Sequence, residues 1–83
     1  MEQAERRGII LDVARLDHQL GLRGLTRRRF CELAGIPEPT LSRACHGRGI
    51  TPHTFRRLTT TLLETPLLVG ADLLLADVAV GVA

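Results

Sequence analysis

The sequence predicts an all-α fold: one compact domain of four to five short helices spanning residues 1–83. Three observations lead there. The chain has 83 residues, enough for one hydrophobic core, since a second would need roughly 50 more. Aromatic residues are nearly absent, with two Phe and no Tyr or Trp, which disfavours the strands of a barrel or sandwich and a stacking platform for single-stranded nucleic acid. Apolar residues recur at three- and four-residue intervals in short runs that Gly and Pro punctuate. Hydrophobic residues make up 45% and charged residues 24%, the usage of a globular chain rather than a disordered one. A domain this short buries only about 60% of its unfolded surface, so a partner subunit would add to a thin margin of stability.

The first helix is expected over residues 9–20, with a start reaching back toward Gln3. Ile9, Val13, Leu16 and Leu20 share one face, and Ile10 and Asp17 lie on adjoining faces. Gly21 and Gly24 end it. Thr26 then serves as the N-cap of a second helix, which turns Phe30, Leu33 and Ala34 inward and stops at Gly35. It is too short to stand without tertiary packing. In Ile36-Pro37-Glu38-Pro39 the prolines suit a first helical turn, where a missing N–H costs little, and Glu38 suits the positive end of the helix dipole. The third helix runs from about Glu38 to Cys45, with Leu41 and Ala44 inward, and Gly47 and Gly49 end it. Thr51-Pro52 opens the fourth, which carries Phe55, Leu58 and Leu62. Thr59, Thr60 and Thr61 weaken it. Pro66 restarts the chain for a last apolar segment, residues 66–83. Leu67, Ala71, Leu74, Leu75 and Val78 have helical spacing there, so a fifth helix is expected, although the end, DVAVGVA, alternates and equally fits a strand.

Charge is distributed unevenly. All 11 basic residues are Arg, which suits bidentate phosphate and guanine contacts. Residues 23–57 carry eight Arg against Glu32 and Glu38, a net of +6; residues 1–22 are at −1 and residues 58–83 at −3, for a total of +2. A basic centre between acidic ends is the footprint of a polyanion-binding surface. The N-terminal MEQAERRG lacks the apolar stretch of a secretory signal, and Asp72 and Asp77 interrupt the longest apolar run. The expectation is a cytoplasmic protein that does not cross a membrane.

Short helices with a Gly-containing turn between the second and third describe a helix-turn-helix over about residues 26–46. Such a unit needs a small residue at the helix crossing, a glycine in the turn and a polar outer face on the third helix; Cys31, Gly35 and the Thr40–Arg43 face supply them. The stretch from Gly24-Leu25-Thr26 through Gly35-Ile36, Thr40-Leu41-Ser42-Arg43, Gly47 and Pro52 resembles the phage Cro-repressor type of helix-turn-helix, the xenobiotic-response-element (XRE) family, without a gap. The resemblance covers about residues 11–69 and implies a lambda-repressor-like fold. It also departs from the family pattern: Cys31 stands where Ala is usual, Arg27 where Gln is usual, and Pro37 at the usual polar N-cap. Leu20 and Cys45 occupy the positions of a frequent Arg–Glu pair, so an apolar contact replaces an ion pair, a change that is often neutral or stabilising.

The resemblance implies a sequence-specific regulator of transcription that reads double-stranded DNA through the third helix. Arg43 would read guanine. Glu38 would accept from cytosine N4 or merely complement the helix dipole. Pro39 offers only apolar contact, and Thr40 and Ser42 reach a base or a phosphate. Arg27 and Arg28 would hold one phosphate, and His46, Arg48 and His53 a second; of Arg56 and Arg57, one would face a partner subunit. No activation or ligand-sensing region is recognisable, so a repressor is expected, acting as a homodimer on a palindrome. The apolar segment 66–83, with Leu67, Leu74, Leu75 and Val78, would be the dimer seam, or complete the core against the first helix, or dock a protein partner such as a toxin or a regulator, as an antitoxin does.

Other chemistry is disfavoured. Cys31, Cys45, His46 and His53 match no zinc-ligand spacing, so no metal or other cofactor is expected. Cys31 is expected to be buried against the first helix. A Cys31–Cys45 disulfide is not expected in a reducing compartment. Cys45 and His46 are neighbours that point about 100° apart on a helix, with no third orienting group, so no catalytic site and no enzyme are expected.

Overall fold

The computed structural model describes residues 8–76, which form four α-helices and no strand. These are α1 (Val13–Leu22), α2 (Arg27–Ala34), α3 (Glu38–Cys45) and α4 (Pro52–Glu64), followed by a single 3-10 turn at Ala71–Leu73. Asp12, Thr26 and Thr51 cap α1, α2 and α4 by accepting from the backbone N–H of Arg15, Arg29 and Thr54. Each cap is worth about 1 kcal/mol. Pro37 holds the N-cap position of α3 without a side-chain bond. Between α2 and α3, Gly35 adopts the left-handed conformation (φ 73°), and its N–H donates to the carbonyls of Cys31 and Glu32. Added there, a Cβ would sit 2.9 Å from Nη1 of Arg57, which donates to the carbonyl of Ala34.

Leu20, Phe30, Cys31, Ala34, Leu41, Ala44, Ile50 and Leu58 form the buried core, so every helix contributes. Ile9, Leu11, Leu16, Leu25, Ile36, Cys45 and Leu62 pack around it. Leu20 and Cys45 thus belong to one apolar cluster. Two expected core residues are exposed: Leu33 is 45% exposed and Phe55 39%. Helix α2 turns only the Phe30–Cys31–Ala34 stripe inward, and Leu33 falls beside it.

The first helix starts later than expected. Residues 9–12 are not helical; Ile9 forms an antiparallel bridge with Ile50, with N–H···O distances of 2.8 and 2.9 Å. Asp12 caps the helix at this boundary. The alternation of Ile9 and Leu11, half-buried, with Ile10, exposed, is that of an extended chain. Gly21 does not end α1, which runs on to Leu22. The expected beginning near Gln3 lies outside the described residues. Gly8 is the pivot into the bridge: its φ is +69°, and a Cβ would lie 2.5 Å from the Ile50 carbonyl oxygen. Gly8→Ala is expected to open the bridge and cost about 1–3 kcal/mol. The check is amide hydrogen exchange, where the Ile9 and Ile50 N–H groups should lose protection.

No fifth α-helix forms over residues 66–76. Pro66 cannot extend α4, and Gly70 (φ 90°) turns the chain before the single 3-10 turn. Leu67 and Leu74 are therefore not on a helix; they are 58% and 91% exposed. Leu75 is half-buried against Gly21. Val78 and the alternating end lie outside the described residues. The segment is tied back by Leu68 N–H to the Leu22 carbonyl, 2.8 Å. Arg23 fastens the same corner. Its Nε donates to the carbonyls of Leu62 (2.9 Å) and Thr65 (3.0 Å), and its Nη1 to the carbonyl and Oε1 of Gln19. Among the described residues no helix is long and apolar enough to cross a membrane.

Candidate nucleic-acid interface

Helix α3 is anchored by Leu41 and Ala44, 2% and 0% exposed. At 100° per residue the opposite crest falls on Pro39 and His46, with Ser42 and Arg43 to either side. All four are exposed. The helix is a ridge with a cleft along each flank. Thr40 and Arg43 face one, a cleft of 460 Å³ that they share with Arg48, Thr51, Thr54 and Ile10. Glu38 and Ser42 face the other, of 210 Å³, shared with Arg27 and Arg28 and floored by Cys31 and Leu41. Four of the five expected base readers thus divide between the two flanks, and Pro39 stands between them.

The arginines of the two flanks differ in their partners. Arg27 is held by Asp17 in a two-point contact, Nε to Oδ1 at 2.9 Å and Nη2 to Oδ2 at 2.7 Å. These bonds raise the proton affinity of the Arg27 guanidinium against a smaller opposing effect of burial. Arg28 Nε lies 3.5 Å from Glu38 Oε2 and 3.8 Å from Glu32 Oε2. Arg29 pairs with Glu32 at 3.0 Å. These pairs are half to mostly exposed, so each stabilises the fold by no more than about 1 kcal/mol. By contrast, Arg43, Arg48 and Arg56 make no ion pair or side-chain hydrogen bond among the described residues. Of the two clefts, that of Arg43 and Arg48 is the one whose positive charge has no ion-pair partner among the described residues.

The histidines are placed apart from this cleft. His46 Nδ1–H donates to the Ser42 carbonyl, 2.7 Å away, which turns the ring along α3. The Nε2 of His53 accepts from Arg57 Nε at 3.3 Å. His53 shares a third depression with Ala34, Arg56 and Arg57 rather than joining Arg48. Among the described residues no group of three His, Cys, Asp or Glu side chains is arranged to hold a metal ion. Both cysteines are free. Burial, and after it the charges of Glu38, Cys45 and Glu32, push the Cys31 thiol up, so it is a neutral packing group.

The chain matches no family model, no curated protein and no solved structure. Function is therefore argued from the site. Sequence reasoning does not place Ile10, Thr51 or Thr54 in the larger cleft. Thr51 was read only as a helix cap, Thr54 not at all, and Ile10 as part of a helix. No local signal marks Ile10, since residues 9–11 are apolar without alternation and only the bridge to Ile50 makes the segment extended. Arg23, counted with the basic centre, is a structural clamp, and its carbonyl partners Leu62 and Thr65 at the end of α4 reveal that.

Proposed function

We propose that this protein is a sequence-specific double-stranded DNA-binding regulator of transcription, a dimeric repressor that reads a palindromic operator with α3 in the major groove. The observation that carries this reading is the ridge between two arginine-lined clefts. A helix about 10–12 Å across fits a major groove about 12 Å wide. The phosphates on either side of that groove would then lie at the two flanks, over Arg48 with Thr51 and over Arg27 with Arg28. The crest and its shoulders (Glu38, Pro39, Thr40, Ser42 and Arg43) face the base edges. The resemblance to the XRE helix-turn-helix agrees with this docking.

Selection from a random duplex pool at about physiological salt, where non-specific binding is weak, tests the proposal. An enriched palindrome, with half-sites about one helical turn apart, is expected. No enrichment would leave the alternative reading, a module such as an antitoxin that docks a partner protein. The exposed apolar surface of Leu63, Leu67, Val69, Leu73 and Leu74, from 58% to 104% exposed, is what supports a second copy of the chain as the partner. Leu74→Asp puts a charge on one of its most exposed residues, 91% exposed. It is expected to leave a monomer in sedimentation equilibrium, bind a half-site unchanged and lose the preference for paired half-sites.

A further inference from the structure

We propose that Ile10 is itself a DNA-contact residue, supplying the apolar surface on which a deoxyribose rests in the cleft of Thr40, Arg43 and Arg48. The proposal rests on the DNA-binding reading above and assigns the contents of one flank. Ile10 is held in place by the fold: the Ile9–Ile50 bridge and the left-handed Gly8 fix the backbone on its N-terminal side, and Asp12 caps α1 just after it. Its neighbours Ile9 and Leu11 pack on the core, whereas Ile10 is 52% exposed. A single exposed isoleucine is ordinary; its place is not. It lines the same cleft as three threonines and two arginines that have no ion pair among the described residues.

Arginines and hydroxyls would suffice for a bare phosphate. The nucleic-acid backbone, however, alternates anionic phosphates with sugars whose faces are C–H rich. A cleft that joins two cations to an isoleucine matches that alternation. The two contacts have different physical signatures. An arginine on a phosphate releases counterions and steepens the salt dependence of binding, while an apolar contact on a sugar releases none.

The test uses the full chain, a fluorescent random-sequence duplex and a salt series. Ile10→Ala is expected to bind about fivefold more weakly, with an unchanged salt slope and melting temperature. Ile10→Leu should bind nearly as the parent does. The loss should persist on a duplex in which deoxyuridine replaces thymidine. Parent-like binding by Ile10→Ala overturns the proposal, as does a shallower salt slope. A loss that vanishes with deoxyuridine overturns it too, because the contact is then a thymine methyl group. A loss of affinity that follows melting temperature across the Ala, Val and Leu variants overturns it as well. If the parent protein binds no duplex at any salt, the DNA-binding reading itself fails, and this proposal with it.

Discussion

Phe30→Ala is expected to remove a large share of the protein's stability. Phe30 is 0% exposed and, with Leu41, one of the two largest fully buried side chains. Truncating a buried Phe costs about 3–5 kcal/mol, the transfer of the ring plus the cavity left behind. A domain of this size has a total stability of about 4–12 kcal/mol, so one substitution removes a large share of it. At about 4–8 °C per kcal/mol, the melting temperature followed by circular dichroism should fall by at least about 12 °C. Leu33→Ala on the same helix is the control. Leu33 is 45% exposed, and its loss should fall within about 0.5 kcal/mol. Equal effects at both positions would mean that α2 does not bury the face described above.

The contrast between Phe30 and Leu33 also shows where sequence reading reaches. Helices α2, α3 and α4 were legible because their signals are local. Thr26 and Thr51 accept from the N–H three residues on, Gly35 closes α2 on its own last turn, and proline stands in the first turns of α3 and α4. What failed depends on distant partners. Ile9, Val13, Leu16 and Leu20 fit a helical period, but Ile9 and Leu11 also fit an extended one, and the choice is made by Ile50, far along the chain. Likewise the apolar residues after Pro66 have helical spacing, yet the Leu68 N–H bonds to Leu22 and the local bonds that follow close only a single 3-10 turn. The candidate site divides in the same way. The Thr40–Arg43 face was visible from spacing and charge, because α3 is set by its own residues. The pairing of Arg27 with Asp17 was not, since it joins two helices. Nor was the clamp role of Arg23, whose acceptors close α4.

Arg43→Ala and Arg48→Ala are expected to weaken DNA binding by similar amounts but in different ways. Both side chains line the larger cleft, and neither has an ion-pair partner among the described residues. Arg43 stands on the α3 shoulder that would face the bases in the proposed docking. Removing it should cost about 1–3 kcal/mol at the cognate site and relax the choice of base there. Arg48 lies beyond the end of α3, so its loss should weaken all duplexes alike and lower the salt slope by about 1. Arg27→Ala should also act uniformly but more weakly, because Asp17 already occupies the Nε and Nη2 of that guanidinium and leaves less of it available to a phosphate. The measurement is affinity for the selected operator and for random duplex, each across a salt series. Equal losses on both duplexes from Arg43→Ala would make it a phosphate contact, and base choice would then have to come from Glu38, Thr40 and Ser42. A steeper fall from Arg27→Ala than from Arg48→Ala would mean that Asp17 turns away when DNA arrives, so that ion pairing in the free protein does not mark a weak phosphate contact.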